Sequence, residues 1–301
     1  MRAAVSGDGL RPGPHRLAQD ARESGRVLIT GASSGLVPPL ARRLRAAGMD
    51  VVVSSRTLGL RADLSDLRQI DRLLQDVRPT AVVHIGALVG RACEDDPRAA
   101  EVINVEATGR IAHLARELGV ERLVLASTAA VYPESTDPHS EDETVGVPAT
   151  VYGRTKLAAE QVVREFLDGS SVEHVTARLF NVWGSAYPGA LPVRLRARGD
   201  KVQLRGLDEF VRDYVHVDDV AEVLGDLLRP DGPNQTPTLL NVATGVPVSN
   251  RDLLRGQDLI EGVDYEIRSP LVSRSVADVT TLKRWWGRVP GTLPTTQLEA
   301  P

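Results

Sequence analysis

The chain has 301 residues, 36 basic and 40 acidic, with a formal net charge of −4. That length supports a sizeable core in one large domain or two modest ones, and a mildly acidic chain without basic runs argues against a nucleic-acid binder. No apolar run approaches the ~20 residues that span a bilayer, and the single cysteine, Cys93, excludes a disulfide framework and a zinc cluster.

Residues 1–24 carry no apolar signal core and read as a flexible leader, which places the chain in the cytoplasm. Then the pattern becomes regular. A short apolar run at 27–30 precedes helical spacing at 36–47, and V-V-V-S-S follows within 50–55. A helix is predicted at 64–77, a strand at 81–85, a long amphipathic helix at 98–118 and a strand at 122–127. Wholly apolar short runs alternating with helices predict a doubly wound parallel sheet covered on both faces. Residues 133–150 read as an exposed loop, 151–166 as a helix and 172–180 as a further strand. After Phe180 the aromatics and turn residues of N-V-W-G-S-A-Y-P-G-A-L-P suggest a binding segment.

Between the first strand and first helix stands T-G-A-S-S-G-L, with Gly31 and Gly35 flanking Ser33 and Ser34 and ending on Leu36. Glycine lets a backbone turn tightly and approach a pyrophosphate, and a helix start offers N–H groups to the anion. An ordinary strand–helix turn looks the same. The second strand ends in Ser54-Ser55-Arg56 and lacks the carboxylate that commonly holds the ribose of NAD. A hydroxyl beside a guanidinium suits a 2′-phosphate, so NADP is favoured and NAD remains possible. The bland reading of Arg56 is a solvated loop arginine. Asp63 could accept a bond from an adenine amino group, or could cap the helix that begins near Leu64.

Tyr152 and Lys156 stand at i and i+4 on a predicted helix and so share a face. A free tyrosine titrates near 10, and a neighbouring ammonium together with a positively charged nicotinamide favours its phenolate and lowers that value. Only three of the 36 basic residues are lysine, and one falls here. An ammonium is a compact charge that a forked guanidinium does not replace. Lys201 and Lys283 read as surface charges. Ser127-Thr128 ends an apolar strand, where side chains enter the ligand crevice of such sheets.

These segments together resemble an extended short-chain dehydrogenase/reductase of the nucleotide-sugar epimerase and ketoreductase type. The resemblance rests on T-G-A-S-S-G at 30–35, D-L at 63–64, V-V-H-I-G-A at 82–87 and N-V at 104–105. It continues through S-T-A-A-V-Y at 127–132, Y-G-R-T-K at 152–156, R-L-F-N-V-W-G at 178–184, R-D-Y-V-H-V-D-D-V-A at 212–221 and N-V-A-T-G at 241–245. It implies a Rossmann domain at 25–180, with 210–242 returning to it, and a small C-terminal substrate-binding lobe built from 181–209 and 243–301. It also implies roles. Thr128 would hold the substrate oxygen, Tyr152 would exchange the proton, and Lys156 would tune Tyr152 and bind the nicotinamide ribose. Gly86, Ala87 and Asn104 would line the cofactor, with Asn104 beneath the active site. Asn181 and Arg212 would face the sugar nucleotide, although Arg212 could equally pair with Asp213. His84 and His216 read as structural and Cys93 as inert. The third glycine of the phosphate loop is replaced by Val37, followed by Pro38-Pro39, and the glycine that usually follows V-Y is Pro133.

Ala129-Ala130 after Thr128 lack the acidic pair of a 4,6-dehydratase. The resemblance and the NADP reading together imply NADPH-dependent reduction at C4 of a dTDP-linked 4-keto-6-deoxyhexose, in deoxysugar biosynthesis. The alternatives are an NAD-dependent NDP-hexose 4-epimerase and a non-catalytic NADP-sensing relative. A homodimer through the helices at 98–118 and 151–166 is also implied.

Overall fold

A strand apolar on both sides belongs inside a sheet covered on both faces, and β1 (Arg26–Thr30) is placed so. The computed structural model describes residues 25–196, 202–204, 206–229, 235–256, 265–267 and 273–294. The leader at 1–24 and Lys201 lie outside the described residues. The chain continues through β2 (Asp50–Ser55), β3 (Leu60–Arg61), β4 (Ala81–His84), β5 (Arg122–Thr128), β6 (Glu173–Leu179) and β7 (Asn181–Trp183). It goes on through β8 (Val202–Leu204), β9 (Phe210–His216), β10 (Leu239–Val242), β11 (Pro247–Ser249), β12 (Tyr265–Ile267) and β13 (Ser273–Ser275).

Seven strands form one parallel sheet in the order β10-β6-β5-β4-β1-β2-β3. The chain winds outward one way from β1 and the other way from β4. The crevice for a ligand therefore opens at the carboxyl ends of these two strands. Alternate residues of β1 face opposite layers. Ile29 packs with Leu40 and Leu44 of helix α1 (Val37–Ala46) and with Val220 and Leu224 of α8 (Val217–Asp226). Leu28 packs with Leu74 of α2 (Leu67–Val77), Ile111 of α5 (Ala107–Leu118) and Val163 of α6 (Val151–Leu167). The doubly wound Rossmann architecture is thus present.

Three local expectations change. Helix α2 starts at Leu67 rather than 64, because Asp66 caps it and accepts the Arg68 N–H at 3.0 Å. The 98–118 helix is continuous from Pro97 to Leu118 but changes pitch within it. Short α3 (Arg91–Asp95) and α4 (Pro97–Glu101) lead into a π-helical turn, Val102–Glu106, before α5 begins. The 133–150 loop is not wholly exposed: His139 is fully buried, stacks on Tyr132 at 4.5 Å and bridges Ala277.

A second, smaller sheet centres on β9, which pairs with β7, β11 and β13. The segment returning to the main sheet therefore begins at Val217, with α8, rather than at 210. Strands β8 and β12 pair with each other, and α7 (Leu191–Arg196) and α9 (Asn250–Gly256) accompany this part. Helix α10 (Thr280–Trp286) returns Leu282 and Trp285 to the main core. No helix among the described residues is long and apolar enough to cross a membrane.

Candidate active site

One cavity of about 1200 Å³ runs from the ends of β1 and β2, across β4 and β5, to the second sheet. Gly31, Ser33, Ser34, Gly35, Leu36, Ser55, Arg56, Asp63, Leu64, Gly86, Ala87, Thr128, Tyr152, Lys156, Asn181 and Arg212 all line it. Residues from eight separated segments thus meet on one surface. Asn104 is the exception. It is buried in the π-helical turn, accepts the Leu88 N–H at 2.8 Å and donates to the Leu88 carbonyl and to Thr155 Oγ1, both at 3.0 Å. Its amide is committed to the protein, so it positions the 86–90 segment against α6 rather than facing a cofactor.

The glycine turn has two different causes. Gly31 sits at φ +79°, and a Cβ there would lie 2.6 Å from the Gly86 backbone nitrogen. The close approach of β1 to the residues after β4 demands a glycine. At Gly35 a Cβ would lie 2.5 Å from the Ala186 carbonyl oxygen, so the residue makes room for the 184–190 segment. Val37 is buried where a third glycine was expected and packs into the core beside α8. The prolines after it fall in the first turn of α1, where proline is tolerated.

At the end of β2 the Ser55 hydroxyl accepts the N–H groups of Thr57 and Leu58, and it donates to the Leu58 carbonyl. This fixes the loop that presents Arg56. Asp63 does not cap the helix. It accepts the Ser65 N–H at 2.9 Å and the Ser65 hydroxyl at 2.8 Å from the cavity wall.

Thr128 and Tyr152 meet at the centre. The Thr128 hydroxyl accepts the Ala130 N–H at 3.2 Å and acts on the phenol of Tyr152, favouring its ionised form. Helix α6 is aimed by Thr150, whose hydroxyl accepts the Gly153 N–H at 2.9 Å. Burial pushes the Tyr152 phenol up to about 12, and the Thr128 hydroxyl pulls it only partly back. Tyr152 therefore carries its proton at neutral pH.

Lys156 is 2% exposed, and burial brings its ammonium down to about 8. Glu160, one helical turn further, opposes that fall. Glu160 is itself buried against Arg178, with Nη2 to Oε2 at 2.8 Å and Nε to Oε1 at 3.1 Å, and accepts the Ser127 hydroxyl. Arg178 also lies over the Tyr132 ring at 4.6 Å, and Tyr132 donates to Asn241 Oδ1 at 2.8 Å. A carboxylate, a guanidinium and three strand ends thus brace the helix that carries Tyr152 and Lys156.

The Lys156 shift predicts a pH dependence. Below about pH 8 the lysine is charged in both the folded and unfolded states, and the cost of burying it is fully present. As the pH passes 8 the folded state loses the proton first, so stability rises between about pH 8 and 10. Urea unfolding at pH 7.5 and 9.5 should show this rise. Lys156→Met should be more stable than the parent at pH 7.5 and should lack the rise.

Towards the second sheet, Asn181 donates to the Asp213 carbonyl at 3.0 Å. Arg212 does not pair with Asp213. It donates to Ser273 Oγ at 2.6 Å, stacks on Phe210 at 3.8 Å and lies 3.9 Å from Glu134. Asp213 instead points inward and accepts bonds from Thr244 and from the Gly245 N–H. His84 bridges Thr30 and Thr108, and burial brings it down to about 3. His216 caps α8 and packs edge-on to Trp183. Burial pushes the Cys93 thiol up, which disfavours the reactive thiolate. Lys283 is exposed on α10.

The model of the NAD dependent epimerase/dehydratase family matches residues 27–243. The chain belongs to that family. It is an extended short-chain dehydrogenase/reductase of the nucleotide-sugar type, and an enzyme. A UDP-glucose 4-epimerase from Mycolicibacterium smegmatis is 29% identical over 255 residues, 76% of this chain and 80% of the relative. A dTDP-L-rhamnose 4-epimerase from Burkholderia thailandensis is 26% identical, covering 84% of this chain and 85% of its own. Among solved structures, MoeE5 in complex with UDP-glucose and NAD is 29% identical with a TM-score of 0.79, covering 90% of this chain and 95% of that one.

Within this epimerase/dehydratase chain, three contributors escaped the sequence: Glu160, Arg178 and Tyr187. Glu160 had a signal, since it stands four residues after Lys156 as Lys156 does after Tyr152. The pairing of Arg178 with Glu160 had none, because only the register of β5 with β6 sets Arg178 beside Ser127. Tyr187, whose hydroxyl lies 3.3 Å from Ser34 Oγ, comes from the segment read only as a binding loop.

Proposed function

We propose that the chain uses NADPH to reduce a nucleotide-activated keto sugar, most specifically at C4 of a dTDP-linked 4-keto-6-deoxyhexose. The observation that carries this reading is the end of β2. Ser54, Ser55, Arg56 and Thr57 line the cavity there, with no carboxylate among them to repel a 2′-phosphate. The cavity volume also exceeds the ~300–1,000 Å³ of an ordinary ligand pocket, as two large ligands require.

The residues fit a dinucleotide. Gly31 permits close backbone approach, Ser33 and Ser34 offer hydroxyls, Arg56 faces a ribose phosphate, and Lys156 stands at the opposite end. When bound, the dinucleotide supplies the hydride. The chain supplies the rest. The Thr128 hydroxyl orients the substrate carbonyl oxygen, and the Tyr152 hydroxyl donates its proton to that oxygen as it gains charge. Lys156 stabilises the phenolate left behind. A phenol held protonated at neutral pH suits the reductive direction, in which the proton must be given first. Asn181 and Arg212 hold the nucleotide portion of the substrate.

Net reduction requires the cofactor to exchange. If Arg56 holds the 2′-phosphate, Arg56→Ala should weaken NADPH by about 10- to 100-fold and leave NADH within twofold. Fluorescence titration of both cofactors measures this, and equal losses for the two would refute the assignment. A second reading, an NAD-dependent 4-epimerase, is favoured by the names of the relatives and by the NAD bound in MoeE5. It uses the same Thr128, Tyr152 and Lys156.

A further inference from the structure

The first turn of α1 contains Pro38 and Pro39. Proline has no N–H, so two of the groups that a helix start usually offers to an anion are missing. Of the N–H groups just before them, that of Val37 donates to the Ser34 carbonyl at 3.0 Å, and that of Leu36 lies 3.3 Å from Ser34 Oγ. A diphosphate held here meets fewer backbone donors than a helix start usually offers, and side-chain donors make up the difference.

The 184–190 segment brings one. It packs onto the phosphate turn through Ala186, against which only a glycine fits at position 35. Backbone bonds hold it in a tight turn: the Tyr187 N–H donates to the Gly184 carbonyl and the Ala190 N–H to the Tyr187 carbonyl, both at 2.9 Å. This delivers the Tyr187 hydroxyl to 3.3 Å from Ser34 Oγ, inside the same cavity. Burial pushes the phenol up, and the Ser34 hydroxyl and Leu36 N–H pull it only partly back. The group is neutral and able to donate.

We propose that Tyr187 is a ligand of the cofactor diphosphate, reaching across from the second part of the fold to supply with Ser34 the donors that Pro38 and Pro39 remove. This rests on the reading that the cavity holds a nicotinamide dinucleotide. On binding, the Leu36 N–H and Ser34 hydroxyl turn to the anion, and the Tyr187 hydroxyl donates to a phosphate oxygen. The 184–190 segment thereby closes over the cofactor.

The test is the affinity of the full-length chain for NADPH, NADH and ADP-ribose, which share the diphosphate and differ elsewhere. Tyr187→Phe should weaken all three by a similar factor, about tenfold, as expected for one hydrogen bond to a charged group. Adding Pro38→Ala and Pro39→Ala to that variant should recover part of the loss. Ser34→Ala should act in the same direction, and it serves alone if Tyr187→Phe does not fold. Unchanged or tighter binding by Tyr187→Phe, or a loss confined to one of the three ligands, overturns the inference while the cofactor reading stands. A parent chain that binds none of the three overturns both.

Discussion

Tyr152→Phe is expected to lower kcat by about 10²- to 10⁴-fold, the range that a positioned acid contributes. The change removes one hydroxyl. Its partner Thr128 still accepts the Ala130 N–H, so the loss of Tyr152 leaves no stranded polar group at the strand end. The melting temperature and the Kd for NADPH should therefore stay near those of the parent. Steady-state kinetics with cofactor titration separate the two outcomes. A variant that keeps its turnover would show that Tyr152 is not the proton donor, and would revive the reading of a non-catalytic NADP-sensing relative.

The largest effect on stability is expected at Arg178. Arg178 and Glu160 are almost wholly buried and bonded to each other through three N···O contacts. Arg178→Met leaves the Glu160 carboxylate in the core without its cation, and removing one partner of a buried pair costs about 3–5 kcal/mol. Replacing both, as Arg178→Met with Glu160→Leu, should return much of that loss, because the desolvation of two charges also disappears. Urea unfolding of the parent, the single variant and the double variant measures the coupling. Additive losses would mean that the two side chains act independently. The double variant also reports on function: if the pair braces α6, it should fold yet turn over more slowly, with Tyr152 and Lys156 less well held.

The sequence reveals those parts of the fold that depend on local pattern. The apolar runs of β1, β2, β4 and β5 and the glycine of the first turn need only neighbouring residues, and Tyr152 and Lys156 need only one helical turn. Their convergence on one cavity follows from a parallel sheet, whose strand ends all point the same way. What stays hidden depends on distant segments meeting. Nothing local in Phe210–His216 says which sheet receives it, and it joins the second. The π-helical turn at Val102–Glu106 is masked because apolar spacing continues on both sides, and only the Asn104 bonds to Leu88 show it. The purpose of Gly35 is invisible without Ala186, 151 residues later. Similarly, the burial that raises the Tyr152 phenol exists only once the cavity is built.

The proposed activity is a net, NADPH-dependent reduction of a sugar nucleotide. The most direct measurement mixes the enzyme with a dTDP-4-keto-6-deoxyhexose and NADPH deuterated on the nicotinamide, and follows both products by mass spectrometry. A reductase forms one NADP+ per sugar reduced, with one deuterium fixed in a single hydroxyl epimer. Interconversion of two epimers of a UDP- or dTDP-hexose on a retained cofactor, with no net oxidation of NADPH, would contradict the proposed activity.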